Sequence, residues 1–156
     1  MPIAPHRAQE PHDWQALLRL IQTSFASMSG RINPPSSMHR LTPSEIAQKA
    51  IDGEVWVVGT PAVACVFLTY QPDALYLGKL AVAPNQRGKG YARALINAAH
   101  LRASTLGMAW LELETRVELL ENHALFQQLG FFETGRKTHV GFDRPTSITF
   151  RRPVAL

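Results

Sequence analysis

The sequence contains a single cysteine, Cys65, so no disulfide can form within the chain. It also lacks a long apolar segment: the longest uninterrupted run, residues 62–68, suits a buried strand and is too short to cross a bilayer. Charged residues make up 18% and hydrophobic residues 46%, which excludes a disordered chain. No signal-peptide pattern is present, so we expect a cytoplasmic protein that does not enter a membrane.

Basic residues outnumber acidic ones, giving a formal net charge of +4, but they are scattered and form no run longer than two. A nucleic-acid-binding patch is therefore not favoured, whereas a small ligand rich in phosphate would use the same charge locally. The histidines, the cysteine and the acidic residues show no spacing typical of a metal site, so no metal is expected.

Apolar periodicity predicts an α/β domain over residues 1–156, with one mixed central β-sheet flanked by helices. The predicted order is a strand (3–9), two helices (13–25 and from 43), three strands (55–59, 62–70, 75–83), a helix (91–106), a strand (109–115), a helix (119–129) and two strands (131–138, 147–151). Thr42 is expected to cap the second helix, and its Pro43 to fill the first helical position. The inner, buried stripe of the helix over residues 91–106 is predicted to consist of Ala92, Leu95, Ile96, Ala99, Ala103 and Leu106. Residues 27–37 are rich in Ser, Pro and Gly and predict a loop.

A glycine-bearing turn between a predicted strand and a predicted helix is the most informative segment, residues 80–92. The first N–H groups of a helix have no partner within it, and the helix dipole is positive at that end. Gly88 and Gly90 would let several N–H groups converge, and Arg87 and Lys89 add positive charge. This pattern predicts a pyrophosphate site. The P-loop pattern and the dinucleotide-binding fingerprint are both absent.

The segment Arg87-Gly88-Lys89-Gly90-Tyr91-Ala92 resembles the R/Q-x-x-G-x-G/A signature of the GNAT superfamily of acyl-CoA N-acyltransferases. The preceding Leu80-x-Val82-x-Pro84 and the order of elements are similar to that family over almost the whole chain. The resemblance implies an N-acetyltransferase that moves an acetyl group directly from acetyl-CoA, its co-substrate, to a primary amine of a small molecule or peptide. The resemblance does not decide whether the protein forms a homodimer.

The same resemblance implies positions for coenzyme A. Main-chain N–H groups would hold the pyrophosphate at Arg87, Gly88, Lys89, Gly90, Tyr91 and Ala92. The backbone of Leu80, Ala81 and Val82 would pair with the pantetheine arm, and Asn122 could reach the cofactor one helical turn beyond the family's usual asparagine position.

Phe126 occupies the position at which the family often has a tyrosine that protonates the departing thiolate. Because Phe126 has no hydroxyl, three explanations stay open. The thiolate could leave unaided or take a proton from water. Another group could serve, such as Tyr70, Tyr76, Tyr91 or a histidine. Alternatively, the protein could be a sensor or regulatory module that binds acyl-CoA with little catalysis.

Glu114 is the candidate general base. The stretch around it resembles the strand of protein N-terminal acetyltransferases in which the matching glutamate can act as the general base. The alternative is a structural strand glutamate paired with Arg116 or solvent. The acceptor would lie against the loop at residues 28–39, with residues 141–147 as a second wall. The candidate acceptor-binding residues are Arg31, which could bind a carboxylate, and Ser36, Ser37 and His39.

Overall fold

The computed structural model describes residues 3–154, except for the side chains of Ser37 and Met38. The α-helices and strands of this part follow the predicted order. They are β1 (His6–Ala8), α1 (Trp14–Phe25), α2 (Pro43–Asp52), β2 (Glu54–Val58), β3 (Ala64–Tyr70), β4 (Ala74–Val82), α3 (Tyr91–Thr105), β5 (Trp110–Arg116), α4 (Leu120–Gln128), β6 (Phe132–Lys137) and β7 (Ser147–Pro153). The predicted mixed α/β architecture is confirmed, and the loop after α1 contains two short 3₁₀ turns, Ala26–Met28 and Ser37–Arg40.

The strands form one sheet in the order β1-β2-β3-β4-β5-β7-β6. All neighbouring pairs are antiparallel except β4 and β5, which are parallel because α3 connects them. The β4–β5 pairing runs only from Ala74 opposite Trp110 to Leu77 opposite Leu113. Within the described residues, the second half of β4 therefore has β3 on one side and no paired strand on the other.

A β-bulge interrupts β4 where this unpaired half begins. Cys65 pairs with Ala81 and Phe67 pairs with Gly78, so β4 holds one residue more than β3 between these pairs. Lys79 lies in the bulge with a φ of 52°, in the left-handed region that non-glycine residues rarely adopt. The thiol of Cys65 donates to the Lys79 carbonyl at 3.5 Å. The bulge thus changes the direction of the chain inside the sheet.

The helices begin largely as the sequence predicts. Thr42 Oγ1 accepts a hydrogen bond from the Glu45 N–H at 3.2 Å, and Pro43 is the first residue of α2. Four residues of α3 are buried as predicted, namely Leu95, Ile96, Ala99 and Ala103. The prediction that Leu106 belongs to this buried stripe was wrong: α3 ends at Thr105, and Leu106 is 40% exposed.

Two hydrophobic clusters cover the two faces of the sheet. One contains the buried side of α3 together with Phe126, and the other contains α1, α2, Cys65 and Ala81. Cys65 is fully buried, as predicted, and burial raises its pKa to about 12. The thiol is therefore a packing group at neutral pH.

A carboxylate is also fully buried, on the α3 face. Glu54 accepts hydrogen bonds from Arg102 Nε at 2.8 Å and Nη2 at 2.6 Å, from Trp56 Nε1 at 2.8 Å and from the Tyr70 hydroxyl at 2.8 Å. Burial by itself raises the pKa of Glu54, but these donors outweigh it and hold the pKa at about 2. This network is charged, satisfied and remote from the glycine turn.

Candidate active site

The turn between β4 and α3 forms an open cradle. Gly88 and Gly90 have φ values of 79° and 83°, which favour glycine, and a Cβ at either position would meet no atom within 4 Å. Gly90 is the N-cap of α3, and no described side chain caps that helix end. The cradle therefore presents uncapped N–H groups at the positive end of a helix of 15 residues.

The charged side chains of the turn support its frame. Arg87 Nη2 donates to the Ser24 carbonyl of α1 at 3.0 Å, and Ser24 Oγ donates in turn to the Val82 carbonyl at 3.0 Å. Lys89 Nζ lies 3.0 Å from Gln86 Oε1. These contacts join the end of α1 to both sides of the turn.

A cavity of about 490 Å³, here called the turn cavity, lies beside the glycine turn, with walls from α1, the turn and α4. Most of the residues predicted to bind the cofactor line it: Leu80, Val82, Arg87, Gly88, Gly90, Tyr91, Ala92, Asn122 and Phe126. The side chain of Ala81 is instead buried in the cluster under α1 and α2. A role for Ala81 would have to come from its backbone.

A second cavity of about 770 Å³, here called the basic cavity, opens between α2 and the strands β3, β4 and β5. Six residues line both cavities, among them Leu80, Asn122 and Phe126, so the cavities meet beside the unpaired half of β4. Asn122 is held there by a 3.4 Å hydrogen bond to Thr115 Oγ1. A long ligand in the turn cavity could therefore present its end to a second molecule in the basic cavity.

Glu114 lines the basic cavity, as a base should, but its carboxylate is already engaged. Lys137 Nζ lies 2.5 Å from Glu114 Oε1, and the Glu114 side chain is 25% exposed. Arg116, the alternative partner that the sequence suggested, contacts the Pro34 and Pro35 carbonyls instead. Proton transfer to Glu114 would have to use its second oxygen or follow a displacement of Lys137.

The three candidate tyrosines lie in three different environments. Tyr70 donates to Glu54, whereas Tyr91 lines the turn cavity. Tyr76 lines the basic cavity, and its pKa is raised, first by burial and then by the charges of Glu114 and Glu112. Of the three, Tyr76 therefore combines access to the basic cavity with a phenol that keeps its proton at neutral pH.

Phe126 lies at the junction of the two cavities and is also part of the core. It is 8% exposed, and its ring centroid lies 6.0 Å from that of Phe131 and 6.4 Å from that of Phe150. These aromatic contacts fix the position of the ring, and Phe126 has no hydroxyl that could act at the junction.

The loop between α1 and α2, residues 26–42, is held against the end of β5 and the start of α4. Arg31 forms a 2.7 Å ion pair with Glu121, and the Asn33 N–H donates to Glu118 Oε2 at 3.2 Å. Arg116 Nη1 donates to the Pro34 carbonyl at 2.6 Å. Arg31, expected to bind a substrate carboxylate, is thus already paired in this structure, at the wall of the turn cavity.

The other predicted acceptor residues lie on the same loop. Ser36 lines the basic cavity, and His39 lines an adjoining cavity of about 330 Å³. The side chain of Ser37 lies outside the described residues. Two further histidines lie near the cavities. His123 has its ring Nε2 3.0 Å from the Arg116 carbonyl, and His139 lines the basic cavity with its ring hydrogen-bonded to Thr146.

Lys49 and Lys79 also line the basic cavity, and sequence analysis did not single them out. They come from α2 and from the bulge of β4, so no local pattern joins them. Within residues 3–154 there is no group of three potential metal ligands. None of the helices described is long and apolar enough to cross a membrane.

Comparison with known proteins agrees with this geometry. The sequence profile of the acetyltransferase (GNAT) domain matches residues 52–133, just over half of the chain. The chain belongs to the GNAT acetyltransferase family, whose enzymes use acetyl-CoA as the acetyl donor. No match was found among curated proteins.

Solved structures share the fold over nearly the full length. The ribosomal-protein-S18-alanine N-acetyltransferase from Escherichia coli is 20% identical, with 97% of this chain and 95% of that chain covered and a TM-score of 0.72. A GNAT family acetyltransferase from Elizabethkingia anophelis with acetyl-CoA bound is 16% identical, with coverage of 97% and 98% and a TM-score of 0.73. A GNAT acetyltransferase from Staphylococcus aureus Mu50 is 13% identical, with coverage of 98% and 99% and a TM-score of 0.76. At these identities the likeness concerns the fold.

Proposed function

We propose that the protein transfers an acetyl group from acetyl-CoA to a primary amine of a small molecule or peptide. One observation carries the proposal: the open start of α3, which no described side chain caps, borders a cavity that meets a second cavity beside the half of β4 that β5 does not pair with. Such an arrangement holds a phosphate-bearing donor at one end and an acceptor at the other. The E. coli structure that shares the fold belongs to an enzyme named for acetylating an alanine of a ribosomal protein, which supports an amine acceptor.

The donor would lie along the turn cavity. Main-chain N–H groups of residues 87–92 would bind the pyrophosphate, and the backbone of residues 80–82 would align the pantetheine arm. The Ala83 N–H donates to the Val63 carbonyl of the β3 side, so alternation along this antiparallel pair directs the main-chain groups of Ala81 to β3 and those of Leu80 and Val82 to the unpaired side. Since the Val82 carbonyl already accepts from Ser24, Leu80 is the better candidate for this pairing. The thioester would then reach the junction at Asn122 and Phe126.

Direct transfer at this junction needs two proton movements. The neutral amine attacks the thioester carbonyl carbon, the C–N bond forms, and the C–S bond breaks to release the thiolate. The amine loses a proton, for which Glu114 is the candidate acceptor through the oxygen that Lys137 leaves available. The thiolate gains a proton, for which Tyr76 is the candidate donor, because its phenol is the one of the three candidate tyrosines that lines the basic cavity.

The test compares acetyl-CoA binding and thiol release in the wild type and in a Gly88→Glu variant. The added carboxylate would occupy the cradle and repel the pyrophosphate, so we expect affinity to fall by about 100-fold or more. Gly107→Glu is the matched control, because Gly107 also has a positive φ (72°) and open space around its Cβ position but lies at the other end of α3. Calorimetry measures the binding, and a thiol-release assay on pooled amines and peptides measures the turnover.

Three outcomes separate the proposal from its rival. Loss of binding in Gly88→Glu but not in Gly107→Glu, together with thiol release on some amine, supports the acetyltransferase. Binding without release on any pool favours the acyl-CoA sensor, which the missing hydroxyl of Phe126 keeps as the second candidate. Absence of binding in the wild type contradicts both.

A further inference from the structure

The basic cavity, where the proposed function seats the acceptor, carries an excess of positive side chains. Its charged lining consists of four cations, Arg40, Lys49, Lys79 and Arg116, and two carboxylates, Glu45 and Glu114. A cavity that only had to accept a positively charged amine would favour the opposite balance, because like charges repel at close range.

Of the two carboxylates, Glu45 offsets one of these four cations, whereas the charge of Glu114 is already compensated by a lysine outside the cavity. Glu114 is paired with Lys137, which is not part of the cavity lining. Glu45 accepts a 3.0 Å hydrogen bond from the Thr42 hydroxyl at the start of α2. The net field inside the cavity is therefore positive.

Three of the cations converge from separate elements: Lys49 from α2, Lys79 from the β4 bulge and Arg116 from the end of β5. Lys79 is partly buried, and its pKa is lowered, first by burial and then by the charges of Lys49 and Arg116. The guanidinium of Arg116 donates to the carbonyls of Pro34 and Pro35, which carry no charge. These two contacts do not neutralise its charge, but the nearby Glu118 offsets it in part, so the excess of positive charge rests mainly on Lys49 and Lys79.

This convergence favours an anion as the occupant. An anion between Lys49 and Lys79 relieves the repulsion among the cations and forms charge-assisted hydrogen bonds in a partly desolvated site. The positive φ of Lys79 indicates a cost in backbone energy at a residue that lines the cavity, as is common at functional sites.

We infer that the acceptor is a small amine that also carries a carboxylate, such as a free amino acid, with the carboxylate held by Lys49 and Lys79. Its amino group would then face the junction of the two cavities, near Phe126 and Asn122. This inference rests on the proposed function and narrows its acceptor class. It also disfavours a long peptide as acceptor, because the amino terminus of a peptide has no carboxylate beside it.

The test measures acetylation of matched acceptor pairs: free amino acids and the corresponding amino acid amides, which differ in the carboxylate. We expect kcat/KM to be about 10- to 100-fold higher for the free acids, the range that one charge-assisted contact supplies. Equal rates for acids and amides, or faster amides, would overturn the inference.

Two variants test whether Lys49 and Lys79 bind the carboxylate of the acceptor. Lys49→Met and Lys79→Met keep most of the length of the side chain and remove its charge. Each should raise KM for the acids by about 10-fold or more while leaving KM for the amides within about threefold of the wild-type value. Arg19→Met is the control, since Arg19 is exposed on α1 and lines none of the cavities described. If either lysine variant weakened acids and amides equally, the carboxylate site would be disproved. Thermal melts check that the variants fold.

A binding measurement keeps this inference separate from the failure of the proposed function. Calorimetry with N-acetyl amino acids and their amides, in the presence of coenzyme A, requires no turnover. Tighter binding of the acids that is lost in Lys79→Met supports the anionic site even in a protein that releases no thiol. Equal binding of acids and amides excludes it even in an active enzyme.

Discussion

Two clusters of charged side chains lie on opposite faces of the sheet and differ in whether their positive and negative charges balance. On the α3 face, Glu54 is fully buried and receives four hydrogen bonds, two of them from Arg102. On the face of α1 and α2, the lining cations of the basic cavity outnumber its carboxylates four to two. A cluster in which every charge is balanced contributes to the fold, whereas one with an excess of one sign indicates a ligand of the other sign.

The largest expected effect comes from breaking the balanced cluster. Glu54→Ala leaves Arg102, Trp56 and Tyr70 without their common acceptor, and we expect the free energy of unfolding to fall by about 3–5 kcal/mol. Urea denaturation measures the loss. Glu54→Gln, which keeps the size of the side chain and one acceptor oxygen, should lose less. A loss below about 1 kcal/mol in Glu54→Ala would show that the cluster contributes little.

Acid should weaken the same cluster in a defined pH window. The pKa of Glu54 is lowered from 4.5 to about 2 on folding, so its contribution is fully present above about pH 5 and is lost as the pH falls towards 2. The full contribution is about 3 kcal/mol. Denaturation between pH 2 and pH 6 should therefore show a smaller decline of stability for Glu54→Gln than for the wild type. Parallel declines would assign the acid sensitivity to other carboxylates.

Substitutions of two tyrosines compare the two faces of the sheet directly, with smaller expected effects. Tyr70→Phe removes a hydrogen bond to the charged Glu54 and should cost about 1–2 kcal/mol of stability with little change in kcat. Tyr76→Phe removes the phenol in the basic cavity and should lower kcat by about 10- to 100-fold with little change in stability. Urea denaturation and steady-state kinetics distinguish the two. If Tyr76→Phe left kcat unchanged, protonation by water or unaided departure of the thiolate would be the better account.

Most of the fold could be predicted from the sequence because its signals are local. Apolar periodicity predicted the order of strands and helices, Thr42 and Pro43 marked the start of α2, and Gly88 and Gly90 marked the turn. The position of Leu106 was mispredicted because it continues the helical spacing by one residue beyond the point where α3 ends.

The chemistry of the basic cavity was harder to predict because it depends on distant parts of the chain. Lys49 and Lys79 are thirty residues apart, and only the pairing of β4 with β3 and the packing of α2 bring them to one cavity. Nothing in the sequence signals the left-handed conformation of Lys79. Similarly, the ion pairs of Arg31 with Glu121 and of Glu114 with Lys137 each join positions more than twenty residues apart.

The unpaired half of β4 has a consequence for selectivity by shape. An exposed strand edge ordinarily invites pairing with any extended chain, including another copy of the protein. Here the free edge faces an internal gap bordered by the glycine turn, α4 and the loop between α1 and α2, and the cavities there are narrow compared with a folded partner. Unlike the outer strands β1 and β6, the inner edge of β4 is bordered by cavities of about 490 and 770 Å³, volumes that suit a small-molecule ligand rather than a folded domain.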